Sequence, residues 1–177
     1  MFKMNFLRMR TQTALKKNAS LRASLPYRQA QNIGIMFSVE DKQKHLDVKE
    51  FIQHLEQDGK KVQVLEYLPL KKENFEFKFD FFTINDLSFW GKIHSEPAIK
   101  FSETPFDYLF YIDKEPNPMA LYLLATSKAR CRIGRFSENE NPFFEMMIEQ
   151  NGTTKGLIDT MYKYTKQLRW RSLLAQA

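Results

Sequence analysis

Two parts of the chain repeat one pattern of hydrophobic and polar positions: a short apolar run, a helically spaced segment, and a second apolar run. The first comprises residues 32–37, 45–58 and 61–68, and the second comprises residues 108–112, 117–128 and a run that ends at Arg135. Strand, helix and strand within so few residues are typical of a βαβ unit, whose two strands lie parallel. We therefore predict an α/β fold, with a three-layer, Rossmann-like and mostly parallel sheet flanked by helices.

The same reading predicts which side chains face the core. In the helix at 45–58 the apolar stripe consists of Leu46, Phe51, Ile52 and Leu55, and Gly59 is a natural residue to end it. Residues 144–149 predict a further short strand, and residues 154–170 a final helix.

The region between the two units is less regular. Residues 75–82 alternate Phe with charged residues, which is typical of a half-exposed or edge strand. The polar and aromatic loop that follows contains Trp90 and Lys92 on either side of a glycine, an arrangement suited to stacking a base or a sugar. The alternative is that Leu87, Phe89 and Trp90 only cover the open edge of the sheet.

Charge is concentrated at the N-terminus. Residues 1–30 contain seven Lys and Arg and no Asp or Glu, whereas the whole chain has a net charge of +6, so the remainder sums to about −1. Helical spacing places Phe2, Phe6, Met9 and Thr13 on one face of this segment. We predict a basic N-terminal helical arm over residues 1–28 and a single α/β domain over residues 29–177.

Two roles are open for the arm. It is suited to binding an anionic partner, either RNA (including the ribosome) or a membrane surface. The candidate residues for that contact are Arg8, Arg10, Lys16, Lys17 and Arg22. Alternatively, the arm is a structural helix that packs on the sheet through Phe2, Phe6 and Met9 and leaves its basic side chains in water.

Candidate ligand sites follow from the sheet, because open parallel sheets bind ligands beyond the carboxyl ends of their strands. The loop after the first strand has no glycine and carries Glu40 and Asp41, which disfavours a dinucleotide there and makes a helix cap the simpler role. Asp113 and Arg135 follow two later strands, so they are expected to border a site if one is present. Arg135 is suited to holding a carboxylate or phosphate, or to pairing with Asp113.

Catalytic and metal-binding signatures are missing from the sequence. There is no HExxH, CxxC, Walker or GxSxG motif, the three His are scattered, and Cys131 is the single cysteine. We predict no metal site and no cofactor, and the balance is against an enzyme. The lone cysteine, the absence of a long apolar segment and the absence of a secretory signal predict a cytoplasmic protein.

The strands, together with NDLSFWGK, PFDYLFYID, ATSKARCRIGR and FFEMMIE, resemble an uncharacterised family of short bacterial cytoplasmic proteins, a domain of unknown function. That resemblance extends from the basic arm to about Leu168 and implies no activity. The run from FDYLFYID to RIGR is more weakly similar to the N-terminal Rossmann-like half of heptosyltransferase-type glycosyltransferases. Those enzymes hold the sugar nucleotide largely with a second half, so this similarity implies a fold rather than a reaction.

Three functional hypotheses remain. The first is a non-enzymatic binding or interaction module on a Rossmann-like scaffold. The second is a small enzyme or ligand-binding protein that takes a phosphorylated metabolite or nucleotide sugar at the strand carboxyl ends. The third is a protein that associates with RNA or the ribosome through its basic arm.

Overall fold

A computed structural model describes residues 2–74, 79–150 and 152–168. The helices and strands in chain order are α1 (Phe2–Lys17), β1 (Asn32–Ser38), α2 (Lys42–Gln57), β2 (Lys61–Tyr67), β3 (Asp80–Phe82), α3 (Glu96–Glu103), β4 (Tyr108–Tyr111), α4 (Pro118–Thr126), β5 (Cys131–Arg135), β6 (Met146–Ile148) and α5 (Thr154–Lys166).

The strands form one six-stranded sheet in the order β3-β2-β1-β4-β5-β6, and every described pair is parallel. The order reverses between β1 and β4, which is the topological switch point of a Rossmann-like sheet. One face of the sheet packs against α1, α3 and α4, and the other packs against α2 and α5. The predicted three-layer α/β fold is confirmed.

The packing of α1 differs from the structural alternative that the sequence offered. Its buried residues are Leu7, Thr11 and Ala14, and it packs chiefly on α4. Phe2 and Met9 are 68% and 64% exposed, so the expectation that they pack on the sheet is wrong. The small Thr11 and Ala14 side chains allow two helices to approach closely, which bulky residues on the opposite flank of α1 would prevent.

The structure also differs from the sequence prediction in the bounds of some elements and in the face that one helix buries. Helix α2 begins at Lys42 and turns His45 toward the sheet, while Leu46, expected in the core, is 42% exposed. Helix α3 was not predicted; Ser95 caps it, and it separates the aromatic loop from β4. Strand β3 lies at an edge of the sheet as predicted, but the predicted part at 75–78 lies outside the described residues, as does the end of the final helix at 169–170.

Within the described ranges, no helix combines the length and the apolar character needed to cross a bilayer.

Candidate functional site

Asp113 lies directly after β4, at the switch point of the sheet, and is almost completely buried. Its carboxylate accepts hydrogen bonds from the Ser38 amide at 2.8 Å and the Ser38 hydroxyl at 2.6 Å, and it pairs with Lys44 Nζ at 2.8 Å. Lys44 is itself buried and also contacts Glu40 at 2.7 Å. Asp113 therefore joins the ends of β1 and β4 to helix α2, which is a structural role for this carboxylate.

The start of α2 is the position at which a Rossmann-like fold commonly binds phosphate. Here Asp41 is the N-cap, and its carboxylate accepts a hydrogen bond from the Lys44 amide at 2.8 Å. The Lys44 N–H of the first turn is thus already bonded to a carboxylate, and Glu40 adds a second negative charge. The expectation that this loop caps a helix is confirmed.

Arg135, at the end of β5, braces two loops. Its Nη1 donates to the Lys114 carbonyl at 2.6 Å, and its Nε donates to the Gln150 carbonyl at 3.2 Å. Arg135 and Asp113 border the same cavity of about 380 Å³. The other lining residues include Glu115, Glu138, Glu140 and Glu149. Burial and the nearby Glu115 raise the pKa of Glu140, which is the expected consequence of crowding carboxylates. This excess of carboxylates disfavours a phosphorylated ligand.

A larger concavity lies between α1 and α4. We call it the α1–α4 groove; its volume is about 880 Å³. Its lining residues are Phe6, Met9, Arg10, Thr13, Ala14, Lys17, Asn18, Trp90, Glu103, Tyr122, Thr126 and Lys128. Three members of the α1 face that the sequence singled out, Phe6, Met9 and Thr13, thus border an open groove rather than the core.

The turn that carries Trp90 is held tightly against α1. The Gly91 amide donates to the Ser88 carbonyl at 3.1 Å, and Leu87 and Ile93 form an antiparallel bridge whose side chains enter the core. Gly91 has a φ of +69°, and a Cβ atom there would lie 2.6 Å from the carbonyl carbon of Phe6. Only glycine satisfies both the left-handed backbone and this close approach.

The Trp90 side chain remains accessible although its backbone is fixed. Arg10 Nε donates to the Trp90 carbonyl at 2.8 Å. The indole packs against Phe6, with ring centroids 5.4 Å apart, and against Phe89 at 5.3 Å, yet 63% of the residue is exposed. An exposed aromatic ring on a fixed backbone, next to a cation, is an arrangement that favours stacking on a planar ligand.

The basic residues proposed for partner binding are distributed unevenly. Arg10 and Lys17 line the α1–α4 groove, whereas Lys16 is exposed elsewhere on α1 and Arg8 borders a separate shallow depression of about 350 Å³. Arg22 is engaged within the fold: its guanidinium donates to the carbonyls of Ser127 and Ala129, just after α4. Burial, with the nearby Arg132, lowers the pKa of Arg22 to about 10.

Lys92 is exposed, and only its backbone takes part in the turn, through Ser88. Sequence reasoning missed Tyr122, Thr126 and Lys128, which line the groove from the α4 side. No local pattern marks them, because they lie more than 100 positions from α1 along the chain. Across residues 2–74, 79–150 and 152–168, no group of three or more His, Cys, Asp or Glu is placed to hold a metal ion.

Comparison with protein families matches residues 3–168 to the model of the family of unknown function DUF6913. The chain belongs to DUF6913. The family model therefore covers both α1 and the sheet, which agrees with the resemblance expected from the sequence, and the function of the family is unknown. No curated protein and no solved structure matches the chain, so the weaker similarity to heptosyltransferases remains an expectation from sequence.

Proposed function

We propose that this DUF6913 protein is a non-enzymatic binding module that holds an anionic partner in the α1–α4 groove. The observation that carries the proposal is the convergence of an exposed Trp90, on a fixed backbone, with Arg10 and Lys17 along one concavity. These residues were selected from the sequence for separate reasons, and they lie together only in the folded protein. A groove of this volume falls within the ~300–1,000 Å³ typical of ligand sites.

The strand carboxyl ends support the second hypothesis less well. The Asp113 carboxylate is hydrogen-bonded to Ser38 and paired with Lys44, and Arg135 donates hydrogen bonds to two loop carbonyls. Acidic side chains dominate the cavity between them. A phosphorylated metabolite or nucleotide sugar would meet repulsion there, whereas the groove presents cations to an anion.

The test compares two charge-reversal variants that change the net charge equally. Arg10→Glu/Lys17→Glu alters the groove, and the matched control Lys42→Glu/Lys61→Glu alters exposed residues at the starts of α2 and β2. Binding is measured to three polyanions: heparin, a single-stranded RNA, and vesicles rich in phosphatidylglycerol. Thermal melts check that each variant remains folded.

We expect the groove variant to lose at least tenfold in affinity for whichever polyanion the wild type binds, and the control to lose much less. If net charge alone drove the binding, both variants would lose affinity to the same extent. Equal losses, or no binding of the wild type to any of the three polyanions, would refute the proposed function.

A further inference from the structure

We infer that the anionic partner is single-stranded RNA, which stacks a base on Trp90 and places its phosphates along Arg10 and Lys17. This inference rests on the proposed function and specifies its partner. Single-stranded nucleic acids are recognised by the combination seen here, a basic groove that follows the backbone and an aromatic side chain on which a base stacks.

The length of the groove suits a strand rather than a point charge. Its lining residues on α1 extend from Phe6 to Lys17, which corresponds to ~16 Å along the helix axis. Arg10 and Lys17 are two helical turns apart on the same flank, so their Cα atoms are spaced by ~10 Å along the helix axis. Lys128 contributes a third cation from the opposite wall. Glu103 is the acid among the lining residues, and its carboxylate is paired with Lys128.

Trp90 provides the stacking surface. Its backbone is fixed by Arg10 and by the adjacent Gly91, so little backbone freedom would be lost when a base binds. Arg10 uses Nε for that contact, and its Nη groups have no hydrogen bond to any described residue. These Nη groups are therefore available to a phosphate beside the stacked base.

A duplex does not fit this arrangement, because its bases are stacked on one another and offer no free face to Trp90. A membrane surface fits less well, because the cations line a concavity that a flat bilayer would not enter. Phe2, Met9 and Phe89 are exposed near the same face, so binding to vesicles is a real competing outcome and belongs in the test.

The experiment uses the full chain and a fluorescein-labelled 12-nucleotide oligouridine, with binding followed by fluorescence anisotropy over a range of salt concentrations. Trp90→Ala is expected to weaken binding by roughly 5- to 150-fold, the usual effect of removing one stacking aromatic residue. Trp90→Phe should retain most of the affinity. The control Phe136→Ala removes an exposed aromatic residue at the carboxyl edge of the sheet and should have no effect.

The cations are tested separately by Arg10→Gln/Lys17→Gln. This variant should weaken binding and reduce the slope of log K against log salt by ~1.4, the value expected for two lost phosphate contacts on a single strand. Stacking is also read directly. In a Trp170→Phe background Trp90 is the single tryptophan of the chain, and its fluorescence should be quenched as unlabelled oligouridine is added. This measurement does not depend on the stability of the alanine variant.

The outcomes separate the inference from the proposed function. Groove-dependent binding to heparin or vesicles without binding to oligouridine would overturn the inference and leave the proposed function intact. A second result would also overturn the inference. In it, oligouridine binding is lost in Arg10→Gln/Lys17→Gln but unchanged in Trp90→Ala, and oligouridine does not quench the fluorescence of Trp90. If none of the polyanions binds, both fail.

Discussion

His45 and Glu66 form a fully buried pair between α2 and β2. The distance from His45 Nε2 to Glu66 Oε2 is 2.9 Å, and both side chains have no solvent exposure. The other ring nitrogen of His45 lies 3.2 Å from the Asp41 carbonyl, and the rings of Phe37 and Phe79 pack against the imidazole. The second oxygen of Glu66, Oε1, has no hydrogen-bond partner in the described part of the chain.

This geometry assigns one proton to the pair. Because His45 Nδ1–H donates to the Asp41 carbonyl, the contact between Nε2 and Glu66 Oε2 requires one further proton. Complete burial of both groups favours the neutral arrangement, in which the Glu66 carboxyl holds that proton and donates it to Nε2. The pKa values agree in direction. Burial raises the pKa of Glu66 to about 8. Burial, and to a smaller extent the nearby Lys44, lower the pKa of His45, against the opposing influence of Asp41. Two neutral groups are cheaper to bury than two ions.

The number of bound protons then sets the dependence of stability on pH. In the unfolded chain Glu66 titrates near ~4.3 and His45 near ~6.5. Between pH 4.3 and 6.5 both states hold one proton, on different residues. Between pH ~6.5 and ~8 the folded pair keeps its proton while the unfolded chain has lost it, so the free energy of unfolding falls as pH rises. At ~1.4 kcal/mol per pH unit, the loss attributable to the pair is about 2 kcal/mol.

The variant Glu66→Gln tests this reasoning, because an amide has the shape of the protonated carboxyl and donates to Nε2 at every pH. Urea unfolding at pH 6.0 and pH 8.5 should show that the wild type loses ~3 kcal/mol relative to Glu66→Gln on going to the higher pH, because the folded wild type keeps its proton up to pH ~8 whereas the folded variant holds none. The control Glu56→Gln, at an exposed position of α2, should behave as the wild type. Parallel losses in Glu66→Gln and the wild type would refute the assignment of the proton.

Two further predictions concern stability. Gly91→Ala should lower the free energy of unfolding by ~3 kcal/mol or more, because the backbone there is left-handed and the new Cβ would collide with the backbone of α1. Gly59→Ala should cost ~1 kcal/mol, because residue 59 has a φ of +77° but lies in open space. Equal unfolding midpoints of the two variants in urea would contradict this. Glu145→Ala removes the carboxylate that pairs with the buried Arg132 at 2.6 Å, leaves that charge with carbonyl acceptors alone, and should cost ~3–5 kcal/mol. Lys155→Ala breaks two exposed ion pairs, with Glu50 and Asp159, and should cost less than ~1 kcal/mol in the same denaturation assay. A comparable loss in both variants would refute the distinction.

The sequence predicted where Asp113 and Arg135 lie in the fold, but it could not predict which groups Asp113 contacts. Asp113 and Arg135 were placed at one edge because the carboxyl ends of parallel strands meet there, and both border one cavity. The commitment of Asp113 to Ser38 and Lys44 depends on three segments that are remote in sequence. No local pattern contains that information, because a strand-end carboxylate looks the same whether it faces a ligand or a buried lysine.

The sequence by itself determined the fold class, because a period of 3.6 in helices and continuous apolar runs in strands are local signals, and two βαβ units leave few topologies. It also determined that positive charge is concentrated in the first 30 residues. Only the tertiary structure decided which face of α1 is buried, since Leu7, Thr11 and Ala14 are chosen by their fit to α4 rather than by hydrophobicity. That choice turns the flank with Phe6 and Arg10 toward Trp90, and long-range packing of this kind creates the groove.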